Sequence, residues 1–485
     1  AGASTTLMQG PGRYLQMVVS GGEDGSGAIA FMSDMTDVAA GADMPGMAVY
    51  VAEADDDQAR ELVPTVVEAF PEGWGVSEHG NVRFSDSGMR VFFGTRPLPE
   101  PEPEEGDEAE EIDVEVDIWN WKDDYLQPMQ LVRARGYDER TWEAMARIDG
   151  NGVLQLEDEL FENATVADGG DGYFILSRVS EPYRQQVSWD RSYYDYYLTT
   201  LDPEAESVSR ELVLEKVGGG VGFTPDANNL QWWDGAQQHW FHMDRNTGEV
   251  INLTEGLPFP VFNELHDSPS DPGSYGTPGW SEDGEFIVYD KYDIWAVNPA
   301  DGSARDLTQG GGRANRVRFR YQRTEPGDYV PMDEDIYLSG FGELSKDQGW
   351  ARHNFSGSEG PQRLVFTAHR YGNPQKAEDA ERFLLTRSTF REFPDLYTTD
   401  GSFASFTRHS DANPQQSEYR WGSAELYEWT SADGAPLQGI LYKPDGFDPE
   451  EEYPMMVYFY ERSSDGLHNY TVPSAGGSSI NRAFY

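Results

Sequence analysis

Groups that could carry chemistry are easier to exclude than to assign in this sequence. With no cysteine among 485 residues, thiolate nucleophiles, zinc-thiolate sites and disulfides are ruled out. The eight histidines (His79, His239, His242, His266, His353, His369, His409, His468) show no H-E-x-x-H or comparable ligand spacing, so no metal site and no cofactor are expected. His239 and His242 lie three apart in a predicted strand, which sends them to opposite faces and favours packing. A serine nucleophile held on a strained strand-to-helix turn needs G-x-S-x-G. That pattern is absent, and Gly357-Ser358-Glu359-Gly360 and Gly476-Gly477-Ser478-Ser479 have the wrong spacing.

The elements that would position such groups repeat along the chain. His239-Trp240-Phe241-His242 leads to Thr247-Gly248 and then Asn252-Leu253-Thr254-Glu255-Gly256. Asp293-Ile294-Trp295-Ala296 leads likewise to Asp301-Gly302 and Asp306-Leu307-Thr308-Gln309-Gly310. Further aromatic marks stand at Tyr50, Trp142, Tyr197, Trp350 and Tyr397. From Trp142 onward the marks are separated by 55, 43, 55, 55 and 47 residues, the spacing of β-propeller blades. Each repeat should also hold an inner hairpin of two apolar strands around a polar turn, as at Phe84-Ser85-Asp86-Ser87-Gly88, Phe223-Thr224-Pro225-Asp226 and Trp280-Ser281-Glu282-Asp283-Gly284. Helical periodicity is nearly absent, with Asp56 to Phe70 the one credible stretch. The spacing predicts a mainly β chain with a seven- to eight-bladed propeller over residues 1–415, interrupted by an acidic loop at about 97–117.

The character changes after Asn413-Pro414-Gln415-Gln416. Glu425 to Thr430 alternates as a strand, Asp433-Gly434 makes a turn, and Leu437 to Tyr442 returns as its partner. Met455-Met456-Val457-Tyr458-Phe459-Tyr460 then reads as a buried strand, so a second domain is expected over 416–485.

Charge narrows the partners. The chain has 36 Lys+Arg against 86 Asp+Glu, a net charge of -50, which excludes nucleic acid as a partner. Only six cations are lysines (Lys122, Lys216, Lys291, Lys346, Lys376, Lys443), and acid-rich, Lys-poor surfaces are those of extreme halophiles. No apolar run reaches membrane length. Ala1 opens the sequence without an initiator Met or a signal-peptide pattern, which leaves the compartment open between export and the cytoplasm of a halophilic bacterium. Oligomeric state has no signature in the sequence.

The stretches 71–94, Asp117-Ile118-Trp119-Asn120-Trp121-Lys122-Asp123, 289–295, 413–429 and 453–485 with Tyr460-Glu461-Arg462-Ser463-Ser464-Asp465-Gly466 resemble bacterial serine peptidases of the prolyl oligopeptidase family, in the dipeptidyl-peptidase and acylaminoacyl-peptidase branch. The resemblance implies a propeller that admits only short peptides to an α/β-hydrolase domain bearing a Ser, Asp, His triad. It places residues 416–485 in the first strands of that domain, and the triad beyond Tyr485. It also implies that Tyr460, at the end of an early hydrolase strand, donates its hydroxyl to the oxyanion of the tetrahedral intermediate. Glu461 follows where many relatives have Gly. Dipeptidyl peptidases of the family hold a substrate amine with a Glu pair, but Glu110-Glu111 and Glu451-Glu452 read as solvated surface in so acidic a chain.

Two other readings compete. A non-catalytic propeller that binds or scaffolds other proteins would not continue into Glu425 to Tyr460, and a propeller glycosidase using two carboxylates has no distinguishing mark here. The charge makes one prediction independent of these readings. Carboxylate self-repulsion is relieved by screening, so the melting temperature should rise steadily from low to molar KCl. A flat response would remove the halophile reading.

Overall fold

The computed structural model describes residues 5–21, 27–42, 45–99, 116, 118–150, 152–201, 209–372, 374–460, 462–476 and 480–484. Among these the chain is mainly β, folding into seven consecutive antiparallel sheets of four or five strands and a final two-stranded hairpin. The sheets span residues 14–63, 74–155, 162–217, 221–252, 279–306, 317–367 and 370–408, and the hairpin pairs Ser423–Thr430 with Pro436–Lys443. Two compact units divide the chain, 1–251 with 268–271 and 252–267 with 272–485.

The aromatic marks share one structural address. Tyr50, Trp142, Tyr197, Trp240, Trp295, Trp350 and Tyr397 each lie on the third strand of their sheet. The inner hairpins share a turn as well. The Ser85 amide donates to the Arg90 carbonyl and the Gly88 amide to the Ser85 carbonyl, and Ser281–Glu285 with Gly284–Ser281 repeats the pattern. Gly88 and Gly284 take φ of 73° and 80°, which a glycine reaches without steric cost.

Side-chain alternation explains how the sheets are held. In the second sheet Phe93, Ala144 and Ala146 face a core shared with Val49, Val51 and Val63 of the first. Phe92 and Met145, one residue out of step, face a core shared with Val166 and Ile175 of the third. Leu176, next to Ile175, packs instead with Leu230 and Trp232 of the fourth. In the second unit Leu338 and Ala351 join Ile287 and Ile294 of the fifth sheet, while Tyr337 and Trp350 join Phe383 and Leu385 of the seventh. A strand buried on both faces must be apolar at every position, which is why Val91-Phe92-Phe93 and Phe286-Ile287-Val288-Tyr289 run unbroken.

Two expectations are corrected. Asp56 to Phe70 is not helical: Arg60–Val63 is a strand in register with Ala48–Ala52, pairing Val63 with Val49 and Arg60 with Val51. Leu62 and Val63 gain burial in the first core, and Pro64 would break a helical ladder at the next residue. The 12-residue helix is Gln127–Asp138 instead. It lies between Arg90–Pro97 and Trp142–Arg147, which pair directly, so residues 98–141 are an excursion between neighbouring strands. Most of the acidic run, including Glu110-Glu111, falls outside the described residues.

The second correction concerns Met455 to Tyr460. The segment belongs to no strand, and its side chains are 45% to 87% exposed. A strand needs a neighbour for its backbone groups. The hairpin at 423–443 pairs only with itself, and no other described strand adjoins the run.

Because Phe92 is wholly buried between two sheets, Phe92→Ala should destabilise the protein by about 3–5 kcal/mol in denaturant titration. Met17→Ala, at a position 72% exposed, should stay within about 0.5 kcal/mol. Equal effects would show that the sheets do not share these cores.

Candidate functional site

Tyr460 closes the extended apolar segment, 74% exposed, and its hydroxyl makes no hydrogen bond among the described residues. The turn on its C-terminal side is firmly held. Arg462 adopts a left-handed φ of 53° and leads into a short 3-10 segment, Ser463–Gly466, whose Ser463 hydroxyl donates to the Tyr460 carbonyl at 3.4 Å. Glu461 lies outside the described residues.

Asp465 anchors this turn to the sixth sheet. Its carboxylate accepts from Arg318 on the strand Val317–Gln322 and from Lys346, each at 3.0 Å. Lys346, one of six lysines, is buried and also donates to the Glu343 carbonyl at 2.7 Å. Arg462 stands 3.6 Å from both Asp465 and Glu343 and joins them into one network. Glu343 accepts in addition from Tyr292, from Lys291 at 2.9 Å and from Arg316 at 2.9 Å. Burial alone would push the Glu343 carboxyl up, but the hydrogen bonds from Tyr292, Lys291 and Arg316 outweigh it and hold the group down at about 2. A cavity of about 520 Å³ opens beside the network, lined by Arg316, Lys346, Trp429, Gln438, Arg462 and Asp465.

Downstream, Leu467 is buried, and Asn469 accepts from Arg370 at 2.9 Å. Tyr470 stacks on Trp421 with centroids 5.5 Å apart, while its hydroxyl donates to Gln416 at 2.9 Å and accepts from Asn413 at 3.0 Å. Residues 462–470 are therefore fixed to sheets far earlier in the chain, while 455–460 are not covered. The site can present a phenol hydroxyl beside a turn held by Asp465, an arrangement able to donate a hydrogen bond to a developing negative charge.

Of the other candidates, Glu451 and Glu452 are exposed, consistent with solvated surface. His242 is buried in its strand, and burial lowers its pKa, so it stays neutral. Among the described residues no group of three or more His, Asp or Glu could hold a metal ion, and no helix is long and apolar enough to cross a membrane. Sequence reasoning included Asp465 in a motif without a role. Its partners Arg318 and Lys346 are 147 and 119 residues away, and no local spacing signals them.

No family model matches the chain, and no curated protein matches it in sequence. Among solved structures it is similar to dipeptidyl peptidase 4 of Porphyromonas gingivalis, with a TM-score of 0.51 and 12% identity over 90% of this chain and 58% of that one. It also aligns with a structure from a study of two prolyl endopeptidases (TM-score 0.39, 11% identity, 89% of this chain and 55% of that one). A third is the acylaminoacyl peptidase of Pyrococcus horikoshii (TM-score 0.36, 10% identity, 89% and 58%). At these identities the dipeptidyl peptidase likeness is one of fold, and the chain spans 55% to 58% of the length of the structures it matches.

The lowered Glu343 pKa fixes the sign of a pH effect. A carboxylate whose folded pKa lies below its unfolded value of about 4.3 adds stability above that pH, and the contribution is lost as pH falls toward 2. Glu343→Gln should therefore cost about 3 kcal/mol near neutrality and flatten the loss of stability between about pH 4.5 and 2. An unchanged acid limb would show that the network does not form.

Proposed function

We propose that the chain is the β-propeller and the opening strands of a serine peptidase of the prolyl oligopeptidase type, acting on short peptides. The observation that carries the reading is the fold likeness to dipeptidyl peptidase 4 over 90% of the chain, combined with an apolar run at 455–460 that nothing described covers. Successive sheets sharing cores in sequence order are what propeller blades require, and the hairpin at 423–443 begins a differently built region. In this reading the domains meet near residue 415, and residues 416–485 open the hydrolase domain.

Tyr460 then has a defined task. Anchored through Arg462 and Asp465, its hydroxyl donates to the oxyanion as the acyl intermediate forms. The propeller excludes folded proteins from the site and so restricts substrates to short peptides.

The test is labelling of the full-length gene product with a fluorophosphonate, followed by kinetics on a peptide ester. Labelling should occur, and Tyr460→Phe should lower kcat roughly a hundredfold with KM little changed, since the bond strengthens only in the transition state. Absence of labelling in a folded protein would remove the peptidase reading. Wild-type kcat in Tyr460→Phe would remove the tyrosine's role and leave the rest.

A further inference from the structure

The strand Val317–Gln322 alternates Val317, Phe319 and Tyr321 with Arg318 and Arg320. Val317 and Phe319 face the core shared with the fifth sheet, so both arginines project from the other face. There they stand in cross-strand register with Phe341 and Ser339, and those in turn with Gln348 and Trp350. Arg370, on the first strand of the seventh sheet, completes the lining of a cavity of about 370 Å³ over this surface. Every charged residue lining the cavity is an arginine.

That is an improbable environment in a chain with 86 acidic and 36 basic residues unless an anion belongs there. Arg318 is the one already paired, with Asp465, yet its Nε is buried and has no acceptor among the described residues. Arg320 donates only to backbone carbonyls, those of Phe319 at 2.6 Å, Asp290 at 3.1 Å and Lys291 at 3.4 Å, and packs 4.5 Å from the Tyr289 ring. The nearby Asp290 carboxylate accepts from Arg313 and the Trp295 indole and makes no direct ion pair with Arg320, although its charge acts on the guanidinium at longer range. Arg370 donates to the Asn469 side-chain carbonyl and has no carboxylate partner among the described residues. Burial pushes the Arg320 pKa down to about 10, which still leaves it fully charged near neutrality.

We infer that this cavity is a carboxylate-binding subsite, in which Arg320 and Arg370 receive the C-terminal carboxylate or an acidic side chain of a bound peptide. Guanidinium groups suit the task because their planar donors match a carboxylate in pairs. The Gln348 side-chain amide offers a further donor, and Trp350 and Phe341 offer an apolar wall. That the ligand is a peptide rests on the peptidase reading; that it is a carboxylate rests on the arginines.

Calorimetric titration at constant KCl tests this with Ala-Ala-Ala, its C-terminal amide, and Ala-Glu-Ala amide. The free acid should bind at least about tenfold more tightly than the amide, and Arg370→Gln, at an exposed position, should bring that ratio near one without moving the Tm. Arg320→Gln should do the same if its melt shows it folded. Recovery of affinity by Ala-Glu-Ala amide assigns the site to an acidic side chain, and no recovery assigns it to the peptide terminus. Equal binding of acid and amide, no binding of any peptide, or a ratio untouched by Arg370→Gln overturns the inference. Loss of fluorophosphonate labelling with the acid preference intact would remove the peptidase reading alone.

Discussion

Within each of its two compact units, this protein buries the apolar faces of its sheets against the sheets before and after them in the chain. The single residue step between Phe92 and Phe93, or between Leu338 and Tyr337, sends neighbouring side chains into different cores. A sheet is thus stable only as part of a series, which is the physical reason for repeat architectures. Sheet order, the unbroken apolar strands and the need for polar turns all derive from that requirement.

Electrostatics works against compaction here, and the cations are placed accordingly. Lys291, Arg316, Lys346 and Arg462 converge on two carboxylates, Glu343 and Asp465, and so fasten the turn after Tyr460 to strands more than a hundred residues earlier. Arg320 and Arg370 do the opposite, facing a cavity with no carboxylate on its walls. A chain short of positive charge that leaves two guanidinium groups so placed has a use for them outside its own fold.

Much of the β architecture was legible because its signals are local. Aromatic marks at blade spacing landed on third strands, and Asp-Gly turns at Asp283-Gly284 and Asp433-Gly434 closed the hairpins expected of them. Residues 56–70 carry helical periodicity, but Pro64 and the pull of a neighbouring strand at Ala48–Ala52 override it. The site was less legible. Only a family resemblance points to Tyr460, while its anchor depends on pairings across 119 and 147 residues that sequence spacing does not encode. The V-R-F-R-Y alternation at 317–321 was readable in principle, since period-2 patterning assigns its arginines to one face, but it acquires meaning only beside Arg370.

Shared burial of successive sheets, set against an uncovered run at 455–460, is the contrast that matters most, and amide hydrogen exchange reads it directly. Amides in Trp142–Arg147, Ile294–Val297 and Gln348–His353 should be among the slowest to exchange, opening only with global unfolding. Those of residues 455–460 should exchange near the unprotected rate. Comparable protection of 455–460 in the 485-residue protein, or fast exchange in the third strands, would contradict it.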